Sequence, residues 1–215
     1  MAEAFVQANT LTTGGSQTTS LAGAYSSNNT LNNFLLLIFR SFTTTTSFAT
    51  WVPTDTQGNI WYAVPGNFNN GSLSNLAAFY VPRCKAGANT VTVNPAYTGF
   101  IRVILSEYSG VLPFTFQNHA HQTSTSISSG NITTLSAGSV FGFIGNDTNG
   151  ALSPTISGAW NSRANVDGCF LVDQLNQAPA TFSLSATYAS SVSIYTEIMS
   201  FNDTNSGVSK PLIYC

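Results

Sequence analysis

Six consecutive apolar residues, Phe34-Leu35-Leu36-Leu37-Ile38-Phe39, constrain this chain more than any other feature. Successive side chains of a β-strand point to opposite faces, so an unbroken apolar run is greasy on both. Such a strand belongs in the middle of a sheet. The run is too short to cross a bilayer as a helix, and no membrane insertion is expected. Elsewhere Val, Ile, Thr, Tyr and Phe recur in runs of strand length. Gly14-Gly15, Asn28-Asn29, Gly58-Asn59, Asn69-Asn70-Gly71, Gly87-Ala88-Asn89, Ser129-Gly130-Asn131 and Asn149-Gly150 punctuate these runs with turn residues. No window of helical length carries apolar residues at three-and-four spacing with caps. A short helix or turn is expected near residues 71–76.

Strands are predicted over 5–11, 18–25, 33–42, 48–53, 60–64, 76–81, 89–93, 99–108, 123–128, 139–144, 155–160, 168–173, 181–187 and 191–201. About a dozen strands without helices predict an all-β fold: a two-sheet antiparallel β-sandwich, jelly-roll-like. The long apolar strands are spread along the chain, which fits one domain over 1–206 with a tail over 207–215. The polar stretch 118–130 is the one candidate hinge.

Hydrophobic residues make up 43% of the 215, enough for a sizeable core. Charged residues make up only 7%, against roughly 25% in ordinary soluble domains. The polar surface must therefore come from Ser, Thr, Asn and Gln, with little charge repulsion between neighbouring copies. With six Lys and Arg there is no basic face for nucleic acid. The opening Met1-Ala2-Glu3-Ala4-Phe5 lacks the basic start and apolar run of a secretory signal. The expectation is a chain made in the cytoplasm, or a mature one whose signal has been removed. A virion protein needs no such signal.

Four segments resemble a β-sandwich module of secreted and surface proteins of soil bacteria, with relatives in phage genomes. They are Ser26-Ser27-Asn28-Asn29-Thr30 with Asn33, Thr54-Asp55-Thr56-Gln57-Gly58-Asn59-Ile60-Trp61, Lys85-Ala86-Gly87-Ala88-Asn89-Thr90-Val91-Thr92-Val93, and Glu107-Tyr108-Ser109-Gly110-Val111. The resemblance is strongest over 1–112 and weaker to Phe201. It implies a jelly-roll-like binding or structural domain and supplies no catalytic residues. Asp55 with Gly58-Asn59 reads as a hairpin turn, and Gly87 and Asn89 play the same part before the strand at 90–93. The missing signal and missing companion domains turn the expectation from a cell surface towards a virion.

Candidate chemistry is sparse. His119 and His121 are two apart, so a strand would put both on one face, but no third ligand follows at a useful spacing. Asp147-Thr148-Asn149-Gly150 is a fragment of a calcium loop without the remaining ligands. No metal or other cofactor is expected. Glu107 alternates with Ile101, Val103 and Leu105, and Arg40 with Phe34, Leu36 and Ile38. Each is a charge on an apolar face, and the pair is a candidate structural ion pair. No second carboxylate completes a glycosidase pair, and there is no nucleophile elbow, P-loop or dinucleotide fingerprint. Trp51, Trp61, Tyr62 and Trp160 are a candidate sugar platform or, equally in kind, core aromatics. Cys84 and Cys169 fall near strands and read as buried thiols, while Cys215, the last residue, is a candidate intersubunit disulfide.

The expectation is a non-catalytic structural protein of a phage virion, placed at its surface as a capsid decoration or tail-associated subunit. Its partners would be other virion subunits or itself as a homo-oligomer. The alternative is an extracellular or cell-surface carbohydrate-binding or adhesin module, with a glycan as partner.

Overall fold

The computed structural model describes residues 2–42, 51–64, 68–69, 74–95, 97–111, 115–146 and 152–202. The first half of the chain forms β1 (Ala4–Thr12), β2 (Leu21–Ala24), β3 (Phe34–Phe42), β4 (Thr54–Asp55), β5 (Tyr62–Ala63), β6 (Phe68–Asn69), β7 (Ser74–Val81), β8 (Thr90–Val93) and β9 (Phe100–Ser109). The second half forms β10 (Thr115–Thr133), β11 (Gly138–Asn146), β12 (Thr155–Ser157), β13 (Asn161–Val166), β14 (Cys169–Gln177) and β15 (Thr181–Asn202). The two halves build separate antiparallel sheets. One has the order β1-β9-β3-β7-β5, with β6 also on β7; the other is β10-β15-β11-β14-β13, with β12 also on β15. A third, small sheet is β2-β8-β4.

The two six-stranded sheets pack face to face as a β-sandwich. Phe34, Leu36 and Ile38 of β3 and Ile104 and Tyr108 of β9 meet Phe141 and Phe143 of β11, Leu171 of β14 and Tyr195, Met199 and Phe201 of β15. The aromatic rings interlock edge to face, with Phe34 against Phe201 at 4.6 Å and Tyr108 against Phe141 at 4.8 Å. Each fully buried side chain of this size contributes roughly 1.5–3 kcal/mol.

Both sheets are also covered on their outer faces. Leu35, Leu37 and Phe39 of β3, with Val103 and Leu105 of β9, pack under Val91 and Val93 of the small sheet. This second cover is why β3 is apolar at every position from 34 to 39. On the far side, Val140, Ile144, Phe170, Val172, Ile194 and Ile198 are covered by Ile127, Ile132, Leu184 and Ala186. These four come from the distal halves of β10 and β15, which bend back over their own sheet. The bend falls where Tyr188–Ser191 of β15 stand opposite Thr125 alone, between the pairs Ser124–Val192 and Ser126–Thr187.

The structure corrects several sequence expectations, and residues 51–53, expected as the end of a strand, carry none. The segments 181–187 and 191–201 are one strand of 22 residues, because the bend changes partners without ending the ladder. The stretch 118–130 is no hinge but the middle of β10, held by backbone pairing to β15, which needs no apolar pattern. The strand predicted over 155–160 ends at Ser157, where Gly158 adopts φ +101. The polar strand β13 follows it and was not predicted. Part of the region expected as helix or turn, residues 74–76, opens β7 instead. The segment 48–50, the turns at Asn70-Gly71 and Asn149-Gly150, and the tail 207–215 lie outside the described residues.

Gly142 marks how closely the bent ribbon sits. A Cβ there would come within 2.8 Å of Leu184 Cδ2 and of Val172 Cγ2. Gly142→Val should therefore destabilise the fold by about 1–3 kcal/mol through overpacking. Gly15→Val, with no atom near its Cβ position, should leave the urea midpoint almost unchanged.

Candidate functional site

The four motif segments, 26–33, 54–61, 85–93 and 107–111, meet in space around two carboxylates. Glu107, on β9, is fully buried. Its register partner on β3 is Leu35, so it faces the small sheet with Val103 and Leu105. Gln7 Nε2 and Asn29 Nδ2 donate to Oε2 at 2.6 and 2.7 Å. Asn33 Nδ2 and the backbone N–H of Thr30 donate to Oε1 at 2.6 and 2.8 Å. A carboxylate is an acceptor only, and all four neighbours are donors. Gln7 is itself oriented, its Oε1 accepting from the Ser27 N–H and from the Ser26 and Ser27 hydroxyls. The loop 26–33 is thus threaded around one side chain.

Asp55 does the same for the next layer. Its Oδ1 accepts from Asn59 N–H at 2.9 Å, and its Oδ2 from Asn59 Nδ2 at 2.8 Å, Trp61 Nε1 at 3.1 Å and Asn89 Nδ2 at 3.3 Å. Lys85 caps this turn, donating Nζ to the carbonyls of Gln57 and Gly58. A turn does form from Asp55 to Gly58, with Gly58 at φ +61, but it is not the expected hairpin: β4 pairs with β8 and β5 with β7, in different sheets. Tyr25 packs between the two carboxylates. Burial first, and then the charge of Glu107, push its pKa well above the ordinary tyrosine range. Burial likewise holds Cys84 as a thiol, with a pKa pushed up to about 11, and its Sγ donates to Thr30 O at 3.1 Å.

The expected Arg40–Glu107 pair does not form. Arg40 stands opposite Arg102 and Glu107 opposite Leu35, so the two lie five positions apart along the β3–β9 ladder. They also face opposite sides of the sheet. Glu107 is under the small sheet, and Arg40 faces the other large sheet beside Gly145 and Cys169. The sugar platform is not assembled either. Trp61 is buried with its indole N–H on Asp55, and Trp51 packs on Phe39 and Phe79. Trp160 packs on the outer cover of the other sheet. Tyr62 alone is exposed, stacked on Tyr80 at 5.6 Å and lining a shallow groove with Asn59, Ile60 and Arg83.

Cys84 and Cys169 are free and buried, in different core clusters. Cys215 and Asp147 to Gly150 lie outside the described residues. His119 and His121 lie on β10, in register with Glu197 and Tyr195. Among the described residues no three His, Cys, Asp or Glu side chains gather as ligands.

Three further polar ties were not anticipated. Asp173 is buried and takes a two-pronged ion pair from Arg163, at 2.7 and 3.0 Å. Arg163 also lies 4.7 Å over the ring of Phe5. Glu3 exchanges hydrogen bonds with Asn176 and accepts from Ser139, tying the start of β1 to the second sheet. Glu197 is the exception among the acids. It alternates with Tyr195 and Met199 on β15, and burial alone pushes its pKa up to about 8. The legible signal was the same for Asp173 and Glu197 as for Glu107: an acid in phase with an apolar face.

A carboxyl poised near neutrality suits a general acid, but Glu197 is 4% exposed. Neither the Tyr62 groove nor a second shallow groove along Gln122, Ser126 and Thr187 is lined by it. The arrangement holds segments together, and neither groove is lined by Glu107, Asp173 or Glu197. No family model and no curated protein matches this chain.

Glu107→Gln should turn one acceptor oxygen into a donor facing donors. It should cost roughly 2–5 kcal/mol in urea unfolding at neutral pH. Glu197→Gln should act in the opposite sense. The fold keeps the Glu197 proton up to about pH 8, whereas the unfolded chain releases it near the ordinary glutamate value of 4.5. Stability of the parent should therefore fall as pH rises between those values. The Gln variant should flatten that slope and be the more stable protein at pH 9, by a gap on the order of 4 kcal/mol.

Proposed function

We propose that this chain is a non-catalytic structural subunit of a phage virion, working at its surface through subunit packing. One observation carries the reading: the charge is used inside the molecule. Of the six acids among the described residues, five serve as intramolecular acceptors. They are Glu3, Asp55, Glu107, Asp167 and Asp173. The sixth, Glu197, is buried in the core. What faces solvent is mainly Ser, Thr, Asn and Gln, on a body stiffened by four stacked β layers. Such an exterior lets copies or neighbours approach without like-charge repulsion. A rigid body whose carboxylates Glu107, Asp55 and Asp173 are each held by several donors suits a part that must keep one shape.

The test uses particles. Phage particles released by the host that carries this sequence should contain its peptides at structural copy number by mass spectrometry. Antibody raised against the purified chain should label their surface. Particles free of those peptides overturn the reading.

A further inference from the structure

We propose that β10 is a docking edge for a second copy of this chain, the two β10 strands pairing antiparallel about a two-fold axis. The proposal deepens the packing reading by naming its first partner. β10 pairs with β15 on one side along its whole length, while on its other side no strand lies among the described residues. An edge of this kind presents a row of backbone N–H and C=O groups to whatever strand approaches. At 19 residues it has a contour of about 60 Å, where an ordinary strand has roughly 5–6 residues.

The other edges are managed. β5, β6, β12, β4 and β2 have two to four residues each. β1 and β13, the edges of the two large sheets on the opposite flank, are held against each other by Arg163 over Phe5, and the Glu3–Asn176 clamp ties the start of β1 to the neighbouring β14. β10 stands apart. Its sequence, TFQNHAHQTSTSISSGNIT, contains no Lys, Arg, Asp, Glu or Pro. Those are the residues by which edge strands repel partners.

The same neutrality selects the occupant. A two-fold axis sets residue i of one copy against residue j of the other and j against i, so a charge would need its opposite at the matching position of the same strand. Here there is no charge to match at neutral pH, apart from what the two histidines carry. The exposed side chains along the distal half, Gln122, Thr123, Thr125, Ser126, Ser128 and Asn131, are short hydroxyls and carboxamides that add cross-strand hydrogen bonds.

Sedimentation velocity on the full chain across a roughly hundred-fold concentration range should show a monomer–dimer equilibrium. The double variant Thr123→Lys/Ser128→Lys alters two exposed side chains, so its circular dichroism and melting temperature should match the parent. Its dimer should be weakened at least tenfold. The β10 amides bonded to β15 should be protected from hydrogen exchange in every sample, and the alternate, outward-facing set should be protected in the concentrated parent and not in the variant. A parent that stays monomeric overturns the proposal, as does a dimer indifferent to the two lysines. So does protection of both sets of β10 amides in dilute monomer, which would mean that this chain covers its own edge. The outcome is separable from the particle test. A β10 dimer absent from particles sinks only the virion reading, and a particle subunit with an unpaired β10 sinks only the dimer.

Discussion

The fold turns on a carboxylate buried without a cation against it. Removing Glu107 from water costs several kcal/mol unless its oxygens are matched. Four N–H donors from four residues match them. That requirement holds the loop 26–33 in one path, with Asn32 at φ 67. The backbone of this loop then pairs with Cys84 and Gly87. From there Asp55 and Asn89 fasten the small sheet. Only with the small sheet in place is the outer face of β3 and β9 dry. The apolar run at 34–39 therefore depends on a polar knot that its own residues do not make.

This dependence explains what was legible in the sequence. Period-two alternation reports which side chains share a face within one strand, and it correctly marked β3 as central and Glu107 as facing inward with Val103 and Leu105. It says nothing about which face of one strand lies beside which face of the next, or about register. Arg40 and Glu107 each looked like a buried charge seeking a partner. The β3–β9 register put Leu35, not Arg40, opposite Glu107. The donors that replaced the arginine are Gln, Asn and a backbone amide, residue types that look like loop filler in a chain this rich in them. β10 and β13 were invisible in large part for a related reason. They are held by ladder bonds at sheet edges, where an apolar pattern is not required. The tryptophans were ambiguous because a flat aromatic ring serves a core and a binding surface equally well, and only burial separates the uses.

The low charge content takes on a specific meaning once the partners are known. In an ordinary domain, acids and bases lie outside and supply solubility. Here Glu107, Asp55 and Glu3 act as internal fasteners between segments apart in sequence, and Asp173 fastens neighbouring strands. Arg163 joins β13 to β14 and leans on β1. The polar exterior is left to hydroxyls and carboxamides, which hydrogen-bond without orienting approach over distance. Contacts made by such a surface are short-range and depend on shape and on backbone complementarity.

That places unusual weight on sheet edges. A sandwich of two open sheets has edges on both flanks, and a protein with few charges has few means of guarding them. On one flank the problem is solved by side-chain ties: β1 leans on β13 through Arg163 over Phe5 and is clamped to β14 through Glu3 and Asn176, so the two sheets share a seam there. On the other flank lies the longest edge strand among the described residues, without a Lys, Arg, Asp or Glu from end to end. Its two bulges bend it over the sheet without removing its free side. A chain that closes one flank with its scarce charges and leaves the other neutral has an asymmetry that solubility alone does not require. Backbone pairing across the neutral flank would remove the exposed edge without enlisting another charged residue.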